Sequence, residues 1–314
     1  MINYTYAGAG GQEISAFKSI PENKPRAVVQ IVHGVIEHAG RYAALAEFLN
    51  SHGYAVYAND HRGHGKTART TDELGFFADN DGWNLCVEDL KSLQMQIKSD
   101  FPQVPLIMLG HSMGSFLVRT FLSSYGKELG GVVLSGTAAH PPALTISGRW
   151  LAGLISALRG KHYRSKLLAS LSFGAYNKRI KNPHTPYDWV SRDQEIVRLY
   201  MEDPYCGFLC TTSLFSDLMK GLRFINRQSC YQACPQELPM LIFSGSEDPV
   251  GNYGQGPTRV ASSYRESGLR DVRLKIYEGG RHEMLNETNK EEVWNDLLKW
   301  LDEISNLQLN LKEQ

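Results

Sequence analysis

The residues best suited to chemistry are a serine, a carboxylate and a histidine spread along the chain at Ser112, Asp248 and His282. The serine stands in LIMLGHSMGSF, residues 106–116. An apolar run, 106–109, stops at Gly110; His111, Ser112 and Met113 follow, then Gly114. Glycine-x-serine-x-glycine between a strand pattern and a helix pattern marks a sharp turn that exposes a hydroxyl, with glycines where neighbouring backbone passes close. A chance glycine turn would share the letters but not the strand before and the helix after. A serine hydroxyl is a poor nucleophile until a base takes its proton. That base is a histidine oriented by a carboxylate, and in a strand–turn–helix setting the chain order is Ser, Asp or Glu, His.

Both partners follow in that order. MLIF, 240–243, leads into SGSEDPV, and VRLKIY, 272–277, leads into EGGRHE. Each candidate lies just past a strand, at the sheet edge where open α/β folds place their sites. Asp248 has a rival in Glu247; Pro249 fixes the loop after Asp248 and favours it. The plain alternatives are a turn aspartate and a surface histidine. His111 adjoins the serine, so its side chain is expected to point elsewhere. His33, His38, His61 and His64 precede the serine, against the order, and read as loop-shaping. Acyl transfer also needs donors for an oxyanion. The main-chain N–H groups of Met113 and of Val35, in HGVIEH at 33–38, are the expected pair, with Gly34 allowing close approach.

The elements that must position these residues alternate strand with helix. Short β-branched runs at 28–32, 55–58, 106–109 and 132–134 read as parallel strands buried on both faces. Cys86, Leu90, Leu93, Ile97 and Phe101 recur at steps of three and four, a helix stopped by Pro102. This rhythm predicts an α/β fold with a mostly parallel sheet and flanking helices. It breaks near His140 and resumes at 240, with a closing helix around 291–304. The expected layout is a core of 1–139 and 236–314, with a helical cap, 140–235, inserted after the strand around 132–135. The tail LQLNLKEQ is expected to fray.

Composition narrows the function. The 314 residues are 42% hydrophobic and 21% charged, ordinary for a globular protein. Lys plus Arg and Asp plus Glu each count 33, which gives no electrostatic reason to expect a nucleic-acid partner. No apolar run is long enough for a transmembrane helix, and the N-terminus lacks a signal-peptide pattern. A cytoplasmic location is expected. Five cysteines argue against a disulfide framework. Cys206, Cys210, Cys230 and Cys234 invite a zinc reading, but the spacing is wrong and no histidine supports it; buried free thiols are expected. GHGKT at 63–67 lacks the first glycine of a phosphate loop.

Five motifs carry a family resemblance: HGVIEHAGRY (33–42), NDHRGHGKT (59–67), GHSMGS (110–115), SGSEDPVG (244–251) and EGGRHEMLNE (278–287). The chain resembles α/β-hydrolases of the monoacylglycerol lipase and lysophospholipase type, the group labelled serine aminopeptidase S33. The resemblance implies Ser112 as nucleophile, Asp248 as orienting acid and His282 as base, with Val35 and Met113 at the oxyanion hole. It marks Glu37, His38, Arg62 and His64 as structural, and residues 185–208 as similar to a bacterial lysophospholipase lid. The expected activity is hydrolysis of a monoacyl lipid ester, a monoacylglycerol or a lysophospholipid, with no cofactor and no metal. A short-chain esterase of small-molecule esters, an acyltransferase and a non-catalytic binding protein are the alternatives. In the cap, Trp150, Leu151, Leu154, Ile155 and Leu158 form either an acyl wall, with transient membrane-surface contact, or a face packed on the core.

Overall fold

The computed structural model describes residues 1–310. In chain order the elements are β1 (Ile2–Ala7), β2 (Glu13–Ser19), β3 (Val28–Val32), α1 (Ala43–Ser51), β4 (Ala55–Asn59), α2 (Gly82–Asp100), β5 (Leu106–His111), α3 (Met113–Tyr125) and β6 (Gly131–Ser135). Five helices follow: α4 (Pro142–Arg159), α5 (Lys166–Phe173), α6 (Gln194–Glu202), α7 (Thr212–Ile225) and α8 (Gln228–Gln232). The chain closes with β7 (Met240–Gly245), α9 (Gln255–Glu266), β8 (Val272–Tyr277) and α10 (Lys290–Asn310). The last four residues of the LQLNLKEQ tail lie outside the described residues.

The eight strands form one sheet in the order β1-β2-β4-β3-β5-β6-β7-β8. All pairs from β4 to β8 are parallel; β1 and β2 add an antiparallel edge. That edge is an addition to the expected strands. Its alternating, half-exposed pattern is that of an edge hairpin, unlike the continuous apolar runs of the centre.

Central strands feed two cores. Leu106 and Met108 face one with α2, α3 and α7; Ile107 and Leu109 face the other with α1 and α10. The period-2 alternation of a strand covered on both faces produces this split. On α2 the expected stripe of Cys86, Leu90, Leu93 and Ile97 is buried.

Topology sets where a site can form. From β3 the chain crosses to β4 on one side, then returns to β5 on the other. Loops leaving β3 and β5 therefore diverge and leave a crevice between them. Their register pairs Val32 with Gly110, which sets the 33–38 loop beside Ser112. α4 packs on α7, and α7 on α2 and α3; Leu214 and Phe215 of α7 belong to the same buried cluster as α2. No helix among the described residues is long and apolar enough to cross a membrane.

Candidate active site

Ser112 occupies the turn between β5 and α3 with φ 51° and ψ −123°, a region that non-glycine residues rarely visit and that is held by surrounding structure. The glycines on either side are steric requirements. A Cβ on Gly114 would lie 2.0 Å from the Val32 carbonyl oxygen, and one on Gly110 2.7 Å from the Gly114 oxygen. The Ser112 N–H donates to the Ser135 carbonyl at 2.9 Å. The Ser115 hydroxyl donates to the Ser112 carbonyl at 2.6 Å.

The loops after β7 and β8 cross in contact. A Cβ on Gly245 would sit 1.9 Å from the Gly280 oxygen, and the Glu247 N–H donates to that oxygen at 2.9 Å. This crossing brings Asp248 to His282, with Nδ1 of the ring 2.9 Å from Oδ1. Glu247 is exposed. The fully buried Asp248 also accepts from the Ser244 hydroxyl and the Val250 N–H, each at 2.9 Å. Burial pushes Asp248 toward its neutral form; His282 and these donors outweigh it and hold the carboxyl below its ordinary value. Burial alone would lower His282, but Asp248, then Glu283 and Glu37, raise it above its ordinary value. Nδ1 thus carries the proton toward Asp248, which leaves Nε2 as the basic atom.

The 33–38 loop is braced by its own side chains. The Gly34 N–H donates to Glu37 Oε1 at 2.5 Å, and Tyr42 donates to the same oxygen at 2.9 Å. Arg41 bridges Glu37 at 2.7 Å and Glu283 at 2.5 Å. Burial pushes Glu37 up, whereas Arg41 holds Glu283 down against the same burial. Among the described residues, the N–H groups of Val35 and Met113 donate to no protein acceptor. Two free donors beside a strained serine match the needs of a developing oxyanion.

Loop-shaping describes the earlier histidines. The His61 N–H donates to His33 Nε2 and His61 Nε2 to the His33 carbonyl, both at 3.0 Å. Burial lowers His61 to about 3 and His64 to about 4, so both are neutral. Arg62 pairs with buried Asp89 at 2.7 Å. His111 differs from expectation. It lines the cavity, 4.8 Å between ring centroids from His282, because Ser135 holds its Nδ1 at 3.2 Å. Local sequence carried no signal for the Trp189 ring, 5.2 Å from His282.

The chemistry faces a cavity of about 620 Å³ lined by Ser112 and His282, with Glu37, His111 and Glu283 at the same end. Phe116, Leu168, Phe215, Leu218 and Leu222 form apolar walls. The size falls in the range of about 300–1,000 Å³ usual for small-molecule sites. A family profile described as "Serine aminopeptidase, S33" matches residues 23–289. The chain belongs to the S33 family. It is 32% identical to the monoacylglycerol lipase of Mycolicibacterium smegmatis over 95% of this chain and 96% of that one. It is 29% identical to the monoglyceride lipase of Rattus norvegicus, over 92% and 86%. A solved carboxyl esterase from Bacillus coagulans, in complex with glycerol, superposes with TM-score 0.90 at 28% identity, over 97% and 98%. The fold is that of the α/β-hydrolases.

In this S33 hydrolase the inserted helices divide the expected apolar stripe. Leu151 and Ile155 pack against the core and Leu151 lines the cavity. Trp150 and Leu158, each 74% exposed, and Leu154 point to solvent. Cys206, Cys210, Cys230 and Cys234 are free and buried. His38, Asp203 and Cys206 gather their donor atoms within 4.8 Å of one another. His38 Nδ1 accepts from the Gly40 N–H, so Nε2 carries a proton directed to Asp203. A metal there would have to displace that proton, so this donor set is built for a hydrogen bond.

Proposed function

We propose that the protein hydrolyses esters of monoacyl lipids through an acyl-enzyme on Ser112. The observation that carries this reading is one cavity with a polar, catalytically equipped end and a long apolar wall. Ser112 Oγ attacks the ester carbonyl while His282 Nε2 takes its proton. Asp248 holds the ring and stabilises the imidazolium that forms. The N–H groups of Val35 and Met113 receive the oxyanion, each worth about 10²–10³ in rate. Collapse expels the alcohol, protonated by His282. Water, deprotonated by His282, then releases the fatty acid. No cofactor enters any step.

In this reading residues 140–235 form a cap over the site, and the protein acts in the cytoplasm with transient contact to a lipid surface. Exposed Leu144 and Leu171 line the cavity mouth, and Trp150, Leu154, Leu158 and Leu167 extend the apolar surface beside them. Residues 149–181 carry eight Lys and Arg and no Asp or Glu, although the whole chain is neutral. Exposed apolar side chains interspersed along the chain with basic residues suit an interface with head groups. The second reading is hydrolysis of short-chain esters of small molecules, a carboxylic ester reaction like that of the carboxyl esterase whose fold the chain shares.

Turnover of long-chain monoacylglycerol and lysophosphatidylcholine, beside short p-nitrophenyl esters, separates the two, with Ser112→Ala as control. A clear preference for a long-chain monoacyl lipid is expected, and the better head group names the activity. Turnover confined to short esters would replace this reading with the second.

A further inference from the structure

We propose that Tyr200 is a positioning residue for the oxyanion hole, acting with Gly207 through the carbonyl of Ile36. This rests on the reading of Val35 and Met113 as the oxyanion donors. Ile36 has φ 55°, an outlier for a β-branched side chain. Such a backbone persists only where its surroundings over-determine it. Here they do. The Ile36 carbonyl accepts from the Tyr200 hydroxyl at 3.0 Å and from the Gly207 N–H at 2.9 Å, which engages both its lone pairs. One residue before Val35, the Gly34 N–H is tied to Glu37. The free N–H of Val35 thus hangs between two fixed points, one built by its own loop and one supplied from α6 and the turn after it.

That second anchor is itself over-built. Tyr200 is 3% exposed, with the Arg41 guanidinium 4.9 Å from its ring centroid. Tyr187 lies against the Tyr200 ring at 5.1 Å and donates to the Gly207 carbonyl at 3.1 Å. Gly207 has φ 64°, and a Cβ there would meet the Tyr187 hydroxyl at 2.9 Å. A third tie joins Asp203 to His38 at 2.8 Å. None of these groups is a reacting atom. Their effect is to couple the rear of the inserted stretch to the donor geometry, so that 200–207 cannot lift without releasing the loop.

Tyr200 also lines the cavity, so the test must separate positioning from contact with a head group. Tyr200→Phe removes only the hydroxyl. Its kcat and KM are measured on p-nitrophenyl butyrate, which carries no glycerol, and on a monoacylglycerol, together with inhibition by a boronic acid that mimics the tetrahedral anion. Misplacing a donor by a fraction of an ångström predicts a loss of about ten-fold in kcat on both esters, with KM little changed. Boronate affinity should fall by the same factor. Tyr187→Phe, at a residue outside the cavity lining, should give a smaller loss of the same kind. A loss restricted to the glycerol ester would overturn the proposal in favour of head-group contact. So would unchanged kcat in both variants, or reduced kcat with full boronate affinity. Wild-type inactivity on both esters would instead remove the hydrolase reading, and this proposal with it.

Discussion

The strand-end loops and the outer helices of the insertion obey opposite rules. At the ends of β3, β7 and β8 the buried charged side chains are tied down. Asp248 accepts from three neighbours, and Arg41 joins two carboxylates. On α4 and α5, large apolar side chains stand in water: Trp150 and Leu158 at 74% exposed, Leu171 at 65%. A monomeric surface rarely groups such residues without use. The difference separates loops tied into a fixed geometry from helices that leave an outer apolar face uncovered.

The comparison breaks first at the serine. Ser112→Ala should lower turnover of a p-nitrophenyl ester by about 10⁴-fold or more while the circular dichroism spectrum stays unchanged. The second test is stability within the insertion. Phe215, buried between α7 and the core, should cost about 3–5 kcal/mol as Phe215→Ala. Exposed Trp150→Ala should stay within about 0.5 kcal/mol. Both are read from chemical denaturation, and equal losses would mean that α4 is packed like α7.

A pH profile sharpens the account of the strand ends. His282 must be neutral to accept the serine proton. Asp248 raises it above its ordinary value of 6.5, so kcat/KM should fall on the acid side through a pKa above 6.5. Asp248→Asn removes the raising charge but keeps the burial. Its residual activity, lower by about 10⁴, should show that limb moved to lower pH. A limb that stays in place would detach Asp248 from the base.

The smallest expected effect belongs to the outer helices. Leu158→Glu with Trp150→Glu, both outside the cavity lining, should reduce hydrolysis of a vesicle-borne monoacylglycerol about ten-fold, through lost apolar contact and repulsion from anionic head groups. A short soluble ester should be hydrolysed at the wild-type rate. Equal losses on both would place these residues in the reaction path instead.

The central strands were legible because strands buried on both faces are continuous apolar runs, as at 28–32 and 106–109. The edge strands were not, since INYTYA alternates and leaves one face in water. The serine turn was legible because its glycines are forced by backbone contacts at 2.0 and 2.7 Å. The stripe on α4 carried the right spacing for either burial or a wall. Helical period alone cannot say that Leu151 turns inward while Leu158 stands in solvent. Ser244 behind Asp248, and Tyr200 on the Ile36 carbonyl 164 positions away, left no local mark. Such contacts are properties of the assembled fold.

The most direct test of the central claim is covalent capture with a fluorophosphonate, followed by peptide mapping and residual activity on a monoacylglycerol. The account predicts one adduct, on the peptide that carries Ser112, with loss of activity in proportion to labelling and no adduct in Ser112→Ala. An adduct elsewhere, or hydrolysis that survives complete labelling of Ser112, would contradict it.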